Sequence, residues 1–224
     1  MPMNIIKPAQ GVFVSGTDTE VGKTYVSCWQ LRRMREAGLR LGAYKPVASG
    51  AVSIETSDAY QLWQASGTPM PLETVNPQSF DAALAPPVAA EAEGKAVDES
   101  LLLRGVEAWT EHCDYLLVEG AGGLCSPISW NLTNADLAVQ IGYPLWIVAS
   151  NRLGVVHQVL ATVTVALARG LRVERVYLNQ CDPTTDDASV ASNARLLEPF
   201  LRRLSPNTEV ILVPHGVERR TFTR

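Results

Sequence analysis

The chain is 224 residues long, 46% apolar and 19% charged, with a formal net charge of -4 at pH 7. This is enough apolar chain for one well-buried domain over 1–224, and the lack of any lysine or arginine block excludes the clustered basic face that nucleic acid or an anionic membrane surface requires. Small-molecule partners are expected, in a cytoplasmic protein: no run approaches the roughly 18 continuous apolar residues of a membrane span, and no leader pattern opens the chain.

A short apolar run predicts a first strand from Val12 to Ser15, followed by a helix from Lys23 to Ala37 that Gly38 stops. A second strand, Leu41 to Lys45, ends at Pro46, which keeps a helix from starting at once. Ser57 to Ala65 reads as a helix before Gly67, and Pro69 to Pro87, rich in proline and alanine without a clear period, as a long loop. A helix from Asp98 to His112, a strand from Tyr115 to Glu119, a helix from Thr133 to Ile141 and a strand from Leu145 to Ser150 follow. Then come a helix from Gly154 to Arg169 before Gly170, a strand from Val173 to Asn179, a helix from Asp186 to Leu204 and a strand from Glu209 to Val213. Strands such as "YLLVE" are apolar on both faces, so this β-α alternation predicts an α/β fold: a doubly wound, mainly parallel sheet flanked by helices, of the P-loop NTPase type. The four cysteines, Cys28, Cys113, Cys125 and Cys181, are scattered without a Cys-x-x-Cys pair, and buried reduced thiols are expected of them.

The type rests on "GVFVSGTDTEVGKTYVS", residues 11–27. Gly16 and Gly22 let the chain curl with its N–H groups turned inward, where they cradle an anion. Lys23 brings a charge for outer phosphates and Thr24 a hydroxyl for magnesium, with a helix N-terminus behind them. Five residues separate the glycines, one more than in the strict pattern, so the loop is a variant suited to a nucleoside triphosphate. Three other stretches carry charge to strand ends or helix starts, where such a sheet gathers its ligands. "GAYKPVASG" brings Lys45, "TSDAY" brings Asp58, and "YLLVEGAGG" ends an apolar strand on Glu119. Asp58 and Glu119 with Thr24 make a hard oxygen set for Mg²⁺, although Asp58 in its place also reads as a helix cap. Lys23 and Lys45 face the triphosphate in this reading, so their removal is expected to spare the fold.

Taken together, "GTDTEVGKT", "YKPVASG" and "VEGAGG", in that order and spacing, resemble the ATP-dependent dethiobiotin synthetases of biotin biosynthesis, over about Val12 to Pro214. The resemblance implies ring closure of 7,8-diaminopelargonate with CO₂ and ATP to dethiobiotin, ADP and phosphate, through a carbamate and a carbamic-phosphoric anhydride. By similarity Thr19, Lys23 and Lys45 are catalytic, and Thr24, Asp58 and Glu119 hold magnesium. ATP contacts extend over Glu20, Val21, Gly22, Tyr25, Gly120, Ala121 and Gly122. Adenine falls to Asn179 with Gln180 and to Pro214, His215 and Gly216; from sequence alone Asn179 equally well caps a turn. Substrate contacts fall to Ser49 and, across a homodimer interface, to N–H groups of Gly154, Val155, Val156 and His157. His157, Gln158 and Pro87 depart from the residues common in the family.

Two other classes compete. A MinD- or ParA-like switch ATPase shares the sheet, but its loop carries an extra lysine where Thr17 and Asp18 stand here. A non-catalytic nucleotide-binding module is the other class, and Lys23, Thr24, Lys45 and Glu119 standing intact together speak against it.

Overall fold

A computed structural model describes residues 5–182 and 187–216. In chain order the elements are β1 (Gln10–Gly16), α1 (Lys23–Glu36), β2 (Leu41–Tyr44), β3 (Ala48–Ser49), α2 (Asp58–Ser66), α3 (Leu72–Val75), β4 (Ser79–Phe80), α4 (Pro86–Ala92) and α5 (Glu99–Arg104). They continue with β5 (Tyr115–Gly123), α6 (Asn134–Ile141), β6 (Leu145–Ser150), α7 (Val155–Ala168), β7 (Val173–Asn179), α8 (Val190–Leu204) and β8 (Glu209–Val213). Six strands form one sheet in the order β2-β5-β1-β6-β7-β8, and every pairing in it is parallel. β1, β5 and β6 are buried along nearly their whole length, because helices cover both faces, as the doubly apolar runs require. Among the described residues no helix is long and apolar enough to cross a membrane.

The chain leaves β1 toward β2 on one side and later returns to add β6 on the other, so the strand order reverses at β1. Its carboxyl end, carrying Gly16 into the glycine-rich loop, lies at that switch point, where the crevice of such a sheet opens.

Several expectations need correction. The predicted helix from Asp98 to His112 stops at Arg104 and tightens into a 3-10 turn over Gly105–Trp109. The Tyr44 hydroxyl donates to the carbonyls of Leu101 and Leu102 at 2.9 and 3.1 Å, tying the end of α5 to β2, while the Leu101 carbonyl also accepts the last helical bond from Gly105 N–H. β5 does not end at Glu119 but runs to Gly123, whose partner is Gly16 of β1. β2 ends one residue before Lys45. The stretch 69–87 is no plain loop: it holds α3, β4 and the start of α4, with Pro87 buried in the first turn of α4. The last helix begins at Val190, and Asp186 lies outside the described residues. None of the four cysteines forms a disulfide among the described residues, but only Cys28 and Cys113 are buried; Cys125 and Cys181 are exposed.

Candidate functional site: an anion loop above a buried charge cluster

Between Gly16 and Lys23 the backbone turns twice through the left-handed region, at Glu20 (φ 55°) and Gly22 (φ 80°). A side chain at Glu20 tolerates that conformation at some cost, which persists where the surroundings over-determine it. Thr17 N–H donates to the Val148 carbonyl of β6 at 2.9 Å, and Thr19 N–H to Asp18 Oδ1 at 2.7 Å. Thr19 and Glu20 stay exposed, Val21 is buried and Tyr25 half-buried. Helix α1 then starts on Gly22 with no side-chain cap, whereas Ser57 and Thr133 cap α2 and α6. Uncapped N–H groups and the positive end of α1 therefore face the loop's interior, which suits a phosphate.

Beneath the loop lies a cluster of four charged side chains. Lys45 is 3% exposed and its ammonium sits 2.8 Å from Glu119 Oε1 and 3.0 Å from Asp58 Oδ2. Glu119 is fully buried; its Oε1 also accepts from Thr24 Oγ1 at 2.7 Å, and its Oε2 from Ser27 Oγ at 2.6 Å. Burial works against the Lys45 charge, but the pull of Glu119 and Asp58 outweighs it and raises its pKa. Lys45 in turn holds the Asp58 carboxyl below its usual range, against the cost of burial. Lys23, 8% exposed, has no hydrogen bond or ion pair among the described residues. Burial first, and then the neighbouring Lys45 charge, lower its pKa. An ammonium so placed gains from an anion more than a solvated one does.

The structure thus brings together Lys23, Thr24, Lys45, Asp58 and Glu119, drawn from α1, α2, β5 and the end of β2. It also decides the reading of Asp58. Ser57 is the cap of α2, accepting from Tyr60 N–H at 3.2 Å, while Asp58 is the first helical residue and pairs with Lys45. Gly120, Ala121 and Gly122 extend β5 beside the cluster, and a Cβ at Gly122 would lie 3.6 Å from Thr19 Cγ2.

Asn179, at the end of β7, reaches the far side of the loop: its Nδ2 donates to the Val21 carbonyl at 3.0 Å. Its Oδ1 is buried without a hydrogen-bond partner, a cost of about 1–3 kcal/mol unless a ligand donor meets it. The amide therefore offers one end, not two, to a base. Gln180 N–H bonds to the Val213 carbonyl at 2.9 Å, and His215 Nδ1 lies 3.2 Å from the Cys181 carbonyl. Pro214, His215 and Gly216 thereby run alongside Asn179 and Gln180. The unmet Asn179 Oδ1 acceptor suits a ligand N–H donor such as an amino group, and the N–H donors of the loop suit phosphates.

Ser49 and the start of α7, expected from the sequence to meet substrate, share no hydrogen bond with the charge cluster among the described residues. Ser49 Oγ donates to the Leu84 carbonyl at 2.6 Å, so its lone pairs remain for a ligand. Gly154 (φ 92°) starts α7 with no side-chain cap, but Val155 is 0% exposed and packs inward. Only Gly154 and His157 of this stretch are exposed, so a probe of any contact between copies belongs there and not at Val155.

Sequence reasoning missed three side chains. Ser27 grips Glu119, and its one signal was a hydroxyl a helical turn after Thr24. Asn134 is buried and donates to the carbonyls of Ala121 and Gly123 at 2.6 and 2.8 Å, clamping the glycine-rich end of β5. Asn76 donates to the Lys45 carbonyl at 2.6 Å.

A family pattern described as an AAA domain matches residues 10–212. The chain is 43% identical over 192 residues to the ATP-dependent dethiobiotin synthetase BioD of Rhodopirellula baltica, covering 79% of this chain and 75% of that one. To the enzyme of the same name from Anaeromyxobacter dehalogenans it is 44% identical over 205 residues, covering 92% and 90%. Among solved structures, the MinC:MinD cell division protein complex of Aquifex aeolicus superposes with a TM-score of 0.54 at 13% identity, covering 94% of this chain and 83% of that one. That likeness concerns the fold alone.

Proposed function

The chain belongs to the ATP-dependent dethiobiotin synthetase family, and on that premise we propose that it joins 7,8-diaminopelargonate and CO₂ into the ureido ring of dethiobiotin, consuming ATP. That it is an ATP-dependent ligase of biotin biosynthesis follows from the relatives themselves. The single observation supporting the finer reading is the pairing of an uncapped helix start with two buried lysines above two carboxylates.

The proposed chemistry asks little covalent work of the protein. One amine of the substrate adds to CO₂ and loses a proton to give a carbamate. A carbamate oxygen attacks the γ-phosphorus, ADP leaves, and the second amine attacks the resulting anhydride carbonyl, expelling phosphate and a proton. Charge builds on phosphoryl and carbamate oxygens, and preorganised cations lower its cost. Lys23 meets the β- and γ-phosphates, Lys45 the carbamate and γ-phosphate, and Thr19 and Ser49 orient the reactants. Glu20, Val21, Gly22, Tyr25 and the Gly120, Ala121 and Gly122 backbone line the nucleotide.

Thr24, Asp58 and Glu119 would hold magnesium, which would supply positive charge against the triphosphate. No group of three or more His, Cys, Asp and Glu residues suited to a metal occurs among the described residues. Two carboxylates and a hydroxyl nevertheless fit an ion that keeps waters and phosphate oxygens as its remaining ligands. Asp58→Asn is expected to raise the magnesium concentration for half-maximal activity, since a neutral amide oxygen is a weaker ligand. If Glu119→Gln shifts the requirement and Asp58→Asn does not, Asp58 serves Lys45 alone.

We place the enzyme in the cytoplasm as a homodimer of single-domain chains, with the substrate carboxylate on N–H groups at Gly154, Val156 and His157 of the partner subunit; the Val155 N–H of that stretch already donates to the Arg152 carbonyl at 3.1 Å. Sedimentation at twice the mass of the chain is the check on assembly. The reaction is tested by ATP turnover with and without 7,8-diaminopelargonate and bicarbonate, following product mass. Dethiobiotin should form only with all three present. ATP hydrolysis indifferent to the diamine would instead point to a switch ATPase.

A further inference from the structure

Two hydroxyls one helical turn apart on α1 grip the two oxygens of one buried carboxylate. Thr24 Oγ1 donates to Glu119 Oε1 at 2.7 Å and Ser27 Oγ to Oε2 at 2.6 Å. Both Ser27 and Glu119 are 0% exposed, so no water stands ready to replace either contact. Lys45 adds its contact to Oε1, at 2.8 Å, and none to Oε2.

We propose that Ser27 is a positioning residue for the ligase reaction: by engaging Oε2 it fixes the plane of the Glu119 carboxylate and presents Oε1 alone toward Thr24, Lys45 and the cation site. The inference rests on the proposed role of Glu119 in holding magnesium. A carboxylate on a single side-chain bond rotates freely about its last torsion unless both oxygens are held. With Ser27 gone, Oε2 has no donor on α1, and the buried carboxylate turns to share the donors of Oε1. The oxygen then no longer faces the cation squarely. Partners that orient a metal ligand without touching the metal commonly matter to affinity on the order of 10-fold or more.

The test is Mn²⁺ binding in the presence of ATP and absence of the diamine, read by electron paramagnetic resonance on the full chain. Ser27→Ala should weaken Mn²⁺ on the order of 10-fold and Ser27→Thr, which keeps the hydroxyl, should restore most of it. Ser27→Cys keeps the size with a weaker donor; it should also weaken Mn²⁺, and it serves if the alanine variant fails to fold. In Glu119→Gln the further change Ser27→Ala should cost nothing more, because both act through one carboxylate. Steady-state assays should show the loss in the magnesium requirement before it appears in turnover at saturating metal. Mn²⁺ affinity unchanged in Ser27→Ala but lost in Glu119→Gln would overturn the proposal and leave the role of Glu119 standing. Affinity unchanged in Glu119→Gln would overturn both.

Discussion

Lys45→Ala is expected to reduce dethiobiotin formation on the order of 10²-fold or more, the effect of losing one preorganised charge at the transition state. It is also expected to destabilise the fold, contrary to the expectation from sequence that both lysines could be removed without structural cost. Lys45 is the counter-ion of Glu119, which is fully buried, and of Asp58, which is half-exposed. Breaking a buried pair from one side costs about 3–5 kcal/mol, and the exposure of Asp58 favours the lower end. For a chain of this size about 3 kcal/mol lowers the melting temperature by roughly 6–12 °C. Lys23→Ala is the contrast, since that ammonium has no pair to break among the described residues: comparable loss of turnover with a near-native melting temperature. Calorimetry and product mass on the two variants separate the roles. If Lys45→Ala melts with the wild type, the cluster carries no stability.

The pH dependence has the same origin. Lys45 lowers the folded-state pKa of Asp58, so the stability this pair contributes is present above the unfolded carboxylate value of about 4 and is lost as pH falls through the lower folded value. Lys45→Ala should flatten that acid limb.

Gly22→Ala is expected to weaken ATP binding on the order of 10-fold or more. At φ 80° an L side chain is strained by about 1–2 kcal/mol; the free loop relieves that strain by leaving the phosphate-binding shape, and binding must restore it, at tenfold in affinity for each 1.4 kcal/mol. Its Cβ would also stand 2.2 Å from Asn179 Nδ2, so either the phosphate loop or the residue proposed to meet adenine must move. Gly38→Ala is the control: Gly38 has φ 87° and nothing within 4 Å of a Cβ, so it carries the strain without the collision. Calorimetric titration with ATP should find Gly38→Ala near wild type. Equal affinity in Gly22→Ala would dissociate the loop from the nucleotide.

What sequence alone establishes here depends on near neighbours. Apolar runs that suit both faces of a sheet, glycines at helix ends and the order of "GTDTEVGKT", "YKPVASG" and "VEGAGG" give the parallel sheet, the phosphate loop and Lys23, Thr24, Lys45 and Glu119. These are patterns of a few residues, and local sterics or hydrogen bonding suffice to read them. Only the tertiary structure decides which distant segments become neighbours. The strand order sets β5 against β1, which puts Glu119 within reach of Ser27 and Thr24 on α1. The same order carries Asn179 from β7 to the back of Gly22. The stretch that looks like a proline-rich loop pairs β4 with β3 and ties both Val75 and Asn76 to the Lys45 backbone. Val155 turns inward because α7 packs that face on the sheet. Such contacts satisfy buried polar groups or apolar faces across many residues of chain, and their partners have no local signature, because burial selects them only once the sheet is assembled.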